Sequence, residues 1–312
     1  MCTRRSAPLS VKRGVPQGSV LGPVLFVLFT SDFQKHLETY CYSVMYADDT
    51  VLVTSHNSAE ELEINTYISI GMAEQYCSNN DLVFNTAKTK YITMGKKKDQ
   101  LSELPNLTKV EEVKHLGMTI DNRLSWNDHV DQLCARLSSA IFALKRIKLI
   151  STTAATKTAY HAIFETHLRY GIILWGSSSA QNLQRVLVLQ KHAVRIMAGL
   201  SFPDTCRDAF RILNILTVTS IYIIDAIVYA SKQTLQTHRE IHSYNTRHAD
   251  NLHLPAHRTT LFTKKPSFAG AKLMNMLPHH LRNASPNTLK RKLQDWLLDY
   301  SVYTLEEFMD VC

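Results

Sequence analysis

The sequence predicts an α+β fold in which a small antiparallel sheet with attendant helices comes first and an all-helical remainder follows. Three observations carry this expectation. Short β-favouring runs bounded by turn residues occur up to about residue 123 and not beyond. After that point apolar residues recur at helical spacing, as Val130, Leu133, Leu137, Ile141, Leu144 and Ile147 do. From Lys232 to Lys292 the chain becomes strongly basic, with Glu240 and Asp250 its sole acidic residues. The expected divisions are therefore 1–123, 124–236 and 237–312.

The first element is a strand, Leu9 to Val11, followed by Gly14-Val15-Pro16-Gln17-Gly18-Ser19-Val20-Leu21-Gly22-Pro23. Three glycines and two prolines in so short a run exclude a helix interior or a central strand. The run reads as a tight loop with Gln17 at its end, opening a helix that continues to about Leu37. Pro23 is tolerable there only in the first turn, where its missing N–H is not needed. A glycine loop opening a helix brings backbone N–H groups close to a ligand.

Next come the apolar runs Tyr42 to Met45 and Val51 to Val53, joined through Tyr46-Ala47-Asp48-Asp49. This is a hairpin whose tip carries two adjacent carboxylates. Neighbouring strand residues point to opposite faces, so both carboxylates serve one ligand only where a turn breaks the pleat. A divalent cation such as Mg²⁺ (or Mn²⁺) suits them, since it takes hard oxygen ligands from one or two carboxylates plus substrate phosphates. A solvated turn is the plain alternative, Asp being at home in turns.

Ser58-Ala59-Glu60-Glu61 is a capping box that opens a helix to about Cys77, with Ile68, Met72 and Tyr76 as core positions. Asn79-Asn80-Asp81 ends it. Short strands are expected at Leu82 to Asn85, Tyr91 to Gly95, Lys109 to Val113 and Gly117 to Ile120. The lysines between Gly95 and Asp99 suit either a solvated loop or a phosphate contact. A second capping signature, Ser125-Trp126-Asn127-Asp128, opens a long helix whose polar side carries Arg136, Lys145, Arg146 and Lys148. Helices are then expected at Ala154 to His167, Ala180 to Ala198, Asp204 to Leu213, Thr217 to Gln236 and Asn287 to Asp299. The last buries Leu289, Leu293, Trp296 and Leu297.

A net charge of +8 and pI near 9.1 over 312 residues suit a polyanionic partner. The six cysteines lie far apart without a CxxC pair, which excludes a zinc ribbon or disulfide scaffold and fits reduced thiols. No signal-peptide pattern opens the chain, and the longest apolar stretch, Ile212 to Ala230, is broken by polar residues and Asp225. No membrane partner is expected, and the location is intracellular, nuclear or cytoplasmic. The histidines between His238 and His280 lack the cysteine or repeat pattern of a zinc site. Interleaved with Tyr244, Phe262 and Phe268, they suit nucleic-acid contact through stacking and phosphates.

GVPQGSVLGP followed by YADDT resembles the palm of a reverse transcriptase of the non-LTR (LINE-type, jockey-like) retrotransposons. The resemblance continues through Phe84-Asn85-Thr86-Ala87-Lys88-Thr89-Lys90 and His115-Leu116-Gly117-Met118. Tyr244-Asn245-Thr246-Arg247 and Leu277-Pro278 are similar to the C-terminal region of such elements. The implied architecture is a partial palm, a helical thumb or connection region and a basic C-terminal region. RNA template, DNA primer and deoxynucleoside triphosphates are the implied partners.

The resemblance also assigns roles. Asp48 and Asp49 become catalytic metal ligands for two-metal nucleotidyl transfer. Gln17, Gly18 and Tyr46 line the nucleotide, template and primer terminus, and Lys88 or Lys90 faces the triphosphate, the sequence leaving open which. His115, Leu116 and Gly117 support the primer end. Such polymerases take a further aspartate from a strand upstream of the glutamine loop. Before Glu38 the sole acidic residue here is Asp32, placed on the following helix. The expectation is thus a polymerase fragment, inactive alone, with a complementing upstream fragment as partner; the alternative is a non-catalytic RNA- or DNA-binding remnant.

Overall fold

The computed structural model describes residues 14–15, 18–201, 204–241 and 249–312. The expected strand at Leu9 to Val11, Gln17 and the Tyr244–Arg247 run lie outside them. The fold is mixed α+β, mostly helical, with three two-stranded sheets among the described residues. Two compact units divide between Glu111 and Glu112.

In the first unit, helix α1 (Leu21–Phe29) starts where the Ser19 hydroxyl accepts the Gly22 N–H at 3.0 Å. A Cβ on Gly22 would lie 2.8 Å from the Ser19 hydroxyl and from the Val15 side chain, so the loop closes this tightly only over glycine. The helix expected to run to Leu37 is broken after Phe29 and resumes as α2 (Phe33–Leu37). Thr30 and Ser31 turn their hydroxyls back onto the Phe26 and Leu28 carbonyls, and that local competition bends the chain.

The hairpin follows as β1 (Tyr42–Tyr46) and β2 (Asp49–Val53), antiparallel, with Tyr42 opposite Val53 and Tyr46 opposite Asp49. Helix α3 (Ala59–Asn79) packs Ala73 and Tyr76 against Phe33, Leu37 and Cys41, which makes up the unit's buried apolar cluster. Tyr76 meets Phe33 edge-on at 5.0 Å and donates its hydroxyl to Asp32. Ser58 occupies the N-cap position of α3 but makes no capping bond there, its own N–H going to His56 Nδ1. Leu82 to Asn85 forms no strand; Leu82 and Phe84 pack against the cluster while Val83 is 92% exposed. The strand expected at Tyr91 to Gly95 shrinks to β3 (Lys90–Tyr91), paired in parallel with β4 (Thr108–Lys109).

The second unit opens with the hairpin β5 (Glu112–His115) and β6 (Met118–Asp121). The named elements that follow among the described residues are helices, beside one antiparallel β-bridge between Thr237 and Leu252: α4 (Asn127–Ile150), then α5 (Thr153–Ala159), which runs through a π-helical turn (Tyr160–Glu165) into α6 (Thr166–Arg169). Then come α7 (Ile172–Trp175), α8 (Ala180–Ala198), α9 (Arg207–Ile212), α10 (Val218–Ser231), α11 (His238–Ile241) and α12 (Thr260–Thr263). Last are α13 (Pro266–Met276), α14 (His279–Arg282), α15 (Pro286–Tyr300) and α16 (Leu305–Val311). Val130, Leu133, Leu137, Ile141 and Leu144 face inward as their spacing requires, and so do Leu289, Leu293 and Leu297.

Helix α10 lies at the centre, with Val218 to Ile224 all buried. At Gly270 helix α13 approaches it so closely that a Cβ would fall 2.1 Å from the Ala226 carbonyl oxygen. Polar residues lock this core. Gln190, wholly buried, donates to the Tyr160 hydroxyl and the Leu216 carbonyl and accepts from the Val218 N–H. Thr217 and Thr219 donate to the Val302 and Tyr303 carbonyls, and Arg207 pairs with Glu307, so the C-terminal segment is tied to the starts of α9 and α10. Among the described residues no helix is long and apolar enough to cross a membrane.

Candidate active site

The carboxylate pair sits where the hairpin turns. Ala47 and Asp48 form its two-residue loop, Ala47 adopting a left-handed φ of 53°, while Asp49 opens β2. A left-handed alanine costs about 1–2 kcal/mol, a strain characteristic of functional turns. Tyr46, Asp48 and Asp49 are all exposed. Among the described residues neither carboxylate makes an ion pair, so both keep their oxygens free for an external cation.

Two adjacent unpaired carboxylates are a fitting donor set for one hard divalent cation that shares its remaining positions with water and phosphate oxygens. Among the described residues no three His, Cys, Asp or Glu side chains converge on a metal position. Every Asp and Glu of the chain lies within the described residues. Asp32 is engaged by the Tyr76 hydroxyl instead.

The face of the hairpin bearing Tyr42, Val44 and Tyr46 is open, these residues being 71%, 41% and 65% exposed, while Ser43 on the opposite face is buried. The outer edges of β1 and β2 are unpaired among the described residues. Helix α1 is apolar around its whole circumference yet buries only Gly22. A helix of that composition normally lies inside a protein. An open apolar sheet face likewise marks an interaction surface.

Of the other sequence-expected site residues in this unit, Gly18 adopts φ 82° in the turn before α1. Lys88 is exposed in a turn whose N–H groups close on Asn85, and Lys90 is exposed at the start of β3. No hydrogen bond or ion pair joins Gly18, the carboxylate pair and the two lysines to one another among the described residues. Gln17 lies outside those residues.

His115, Leu116 and Gly117 belong to the second unit. Leu116 and Gly117, at φ 45° and 79°, form the two-residue turn between β5 and β6, a turn that needs positive φ at both positions. It is held from outside: the Tyr170 hydroxyl donates to the Leu116 carbonyl, and Met118 packs under Gly171, where a Cβ would meet its sulfur at 2.5 Å. The far end is fixed by Asp121. Its carboxylate accepts the N–H groups of Arg123, Ser125 and Trp126 and the Ser125 hydroxyl, at 2.9 to 3.2 Å. Burial opposes its charge, but these donors outweigh burial and hold the Asp121 carboxyl below the usual range. On the neighbouring helix His129 is buried, which together with the Arg136 charge pushes its pKa down; its Nδ1 accepts the Thr119 N–H.

Asp121 and Tyr170 are the residues that sequence reasoning missed around this hairpin. Asp four residues before a capping serine was a legible signal, because Asp carboxylates close turns onto following N–H groups. Nothing local marks Tyr170, which reaches a carbonyl fifty-four positions away.

Residues 2–120 match the family model described as reverse transcriptase (RNA-dependent DNA polymerase). The chain is 29% identical over 230 residues to a probable RNA-directed DNA polymerase from transposon BS of Drosophila melanogaster, covering 68% of this chain and 25% of that protein. It is 25% identical to the RNA-directed DNA polymerase from mobile element jockey of the same species, over 68% of this chain and 24% of the relative. To the probable polymerase from transposon X-element it is 27% identical, over 67% and 24%. The chain thus spans about a quarter of the length of these relatives. No solved structure matches it.

Proposed function

Residues 2–120 belong to the reverse transcriptase family of non-LTR retrotransposons, and from that premise we propose that the chain supplies the metal-binding hairpin of an RNA-directed DNA polymerase. The observation that carries this reading is the pair Asp48 and Asp49, exposed and unpaired, at a strained hairpin turn and the first residue of the strand after it, within the matched segment. The first unit is then part of a palm, the helices from α4 onward a thumb or connection region, and the basic C-terminal region a nucleic-acid contact.

Asp48 and Asp49 hold a divalent cation, which when bound supplies charge neutralisation at the reacting phosphate. Tyr46, one residue before the turn, positions the primer terminus beside them. Gln17 and Gly18 border the template and nucleotide, where the left-handed glycine lets the backbone approach closely. One of Lys88 and Lys90 neutralises the departing pyrophosphate. The β5–β6 turn at His115 to Gly117, fixed by Tyr170 and Asp121, bears on the primer end.

By the same reading these 312 residues do not extend a primer on their own. Two metal ions repel each other and are held by carboxylates from more than one strand, whereas only the hairpin pair is offered here among the described residues. The open face of β1 and the apolar surface of α1 are where a complementing part of the polymerase would pack. In the second reading the chain is a non-catalytic RNA- or DNA-binding remnant, favoured by its net charge of +8.

A chimera tests the two. Residues 2–120 of this chain are grafted into the jockey polymerase in place of its matching segment, and RNA-templated DNA synthesis is measured. Synthesis by the chimera that is lost with Asp48→Ala supports the catalytic reading; a well-folded chimera without synthesis supports the remnant.

A further inference from the structure

We propose that residues 257–265 form a stacking platform for an unpaired nucleobase of a single-stranded nucleic acid, separate from the carboxylate hairpin. The proposal rests on the reading that this chain handles nucleic acid and specifies where and how a single strand is held.

Three rings build the platform. Phe268 on α13 is buried and serves as its foundation. Phe262 on α12 meets it edge-on at 5.6 Å, and His257 meets it edge-on at 5.0 Å. His257 and Phe262 lie nearly parallel, 10° apart, at a centroid distance of 5.8 Å. A cluster serving only to pack this segment would turn His257 inward. Instead His257 is exposed, so the offset stack ends in an imidazole open to solvent.

The platform is fixed to the helical body. Lys264 donates its ammonium to the Ser178 carbonyl, and the Ser177 hydroxyl donates to the Lys264 carbonyl. Lys265 sits with Nζ 5.8 Å from the Phe262 ring centre. Arg258, next to the imidazole, is exposed and makes no ion pair among the described residues. No Asp or Glu occurs between residues 251 and 294, while eight Lys or Arg do. Some of those are spent structurally, as with Lys264 and with Arg282, which bonds to Asn251 and two carbonyls. Arg258 and Lys265 remain as the cations beside the rings.

An exposed ring with flanking cations matches how single strands are bound without sequence preference, the bases stacking on the ring and the phosphates meeting the cations. A paired duplex hides its bases and gains from the cations alone.

The test uses the full chain with fluorescent oligo(dT) and a duplex DNA, titrated over a range of salt. His257→Ala should weaken single-strand binding roughly fivefold to a hundredfold while leaving duplex binding and the salt slope unchanged. His257→Tyr, which keeps a ring, should restore it. Arg258→Ala should reduce the single-strand salt slope by about 0.7. Unchanged single-strand affinity in His257→Ala and in Phe262→Ala overturns the platform, as does an equal loss on the duplex. Failure of the unaltered chain to bind either nucleic acid would instead overturn the nucleic-acid reading as a whole.

Discussion

Replacing Asp121 should have a large effect for one side chain, because a single buried carboxylate closes the junction between the β5–β6 hairpin and α4. It accepts three backbone N–H groups and one hydroxyl and is 8% exposed. Hydrogen bonds to a charged acceptor contribute about 1.5–3 kcal/mol each, and they are not additive. Some of the donors freed by Asp121→Ala lie close enough to the surface to find water. We therefore predict a loss of about 3 kcal/mol, equivalent to a fall of about 6–12 °C in Tm for a unit of this size. All three tryptophans, Trp126, Trp175 and Trp296, belong to the second unit, so selectively excited tryptophan fluorescence reports its unfolding. The pH dependence has a definite sign. Asp121 has a depressed folded-state pKa, so its contribution is fully present above its unfolded value of 3.8 and is lost as pH falls through the lower folded value. A change below about 0.5 kcal/mol in Asp121→Ala would refute the assignment of the junction to this carboxylate.

His129 gives a second pH signature. Burial depresses its pKa below 6.5, so it stabilises the fold above pH 6.5, and the stability is lost as pH falls through the folded-state value. His129→Asn, whose side-chain oxygen can still accept the Thr119 N–H, should remove that acid-side loss in a thermal unfolding series. Gly270→Ala should destabilise by roughly 2 kcal/mol or more, since its Cβ would meet the Ala226 carbonyl of α10, and a Tm within one or two degrees of the parent would count against that contact. Ala47→Gly should relieve about 1 kcal/mol of left-handed strain, read as slower amide exchange across residues 42–53; faster exchange would show that the turn is not strained as described. The purified chain should show no primer extension on poly(A)/oligo(dT) with Mg²⁺ or Mn²⁺, and extension abolished by Asp48→Ala would show that a third carboxylate is available to it.

Helical periodicity made the second unit legible in the sequence. The stripe from Val130 to Leu144 and that of Leu289, Leu293 and Leu297 appear buried where their spacing put them, and Ala180 to Ala198 is a helix to the residue. The hairpin at Asp48 was also legible, since β-favouring runs and turn residues act over a few positions; the hairpin turning at Leu116 and Gly117 came from the resemblance alone, the run expected as one strand from Lys109 to Val113 dividing between β4 and β5. What escaped were features set by distant partners. The break after Phe29 depends on hydroxyls choosing carbonyls within their own helix and on Tyr76 reaching Asp32. Leu82 to Asn85 has a strand's composition, yet it pairs with no neighbouring strand among the described residues. Gln190, which reads as an ordinary polar helix position, is buried because two segments, at Tyr160 and at Leu216 to Val218, converge on its amide.

The slender buried cluster among the described residues of the first unit, five residues around Phe33 and Tyr76, has a thermodynamic consequence for the carboxylate hairpin. Elements with so little buried apolar surface open locally at low free energy, far below the cost of unfolding a body such as the second unit. A ligand that binds the closed hairpin and not the opened one adds its own binding free energy to that balance, about 2.7 kcal/mol at a hundredfold excess over Kd. Under the proposed function, cation, nucleotide and nucleic acid would then act on this unit as folding partners before they act as reactants. Protection of the amides of residues 42–53 against exchange becomes a direct measure of occupancy, one that needs no turnover to be read.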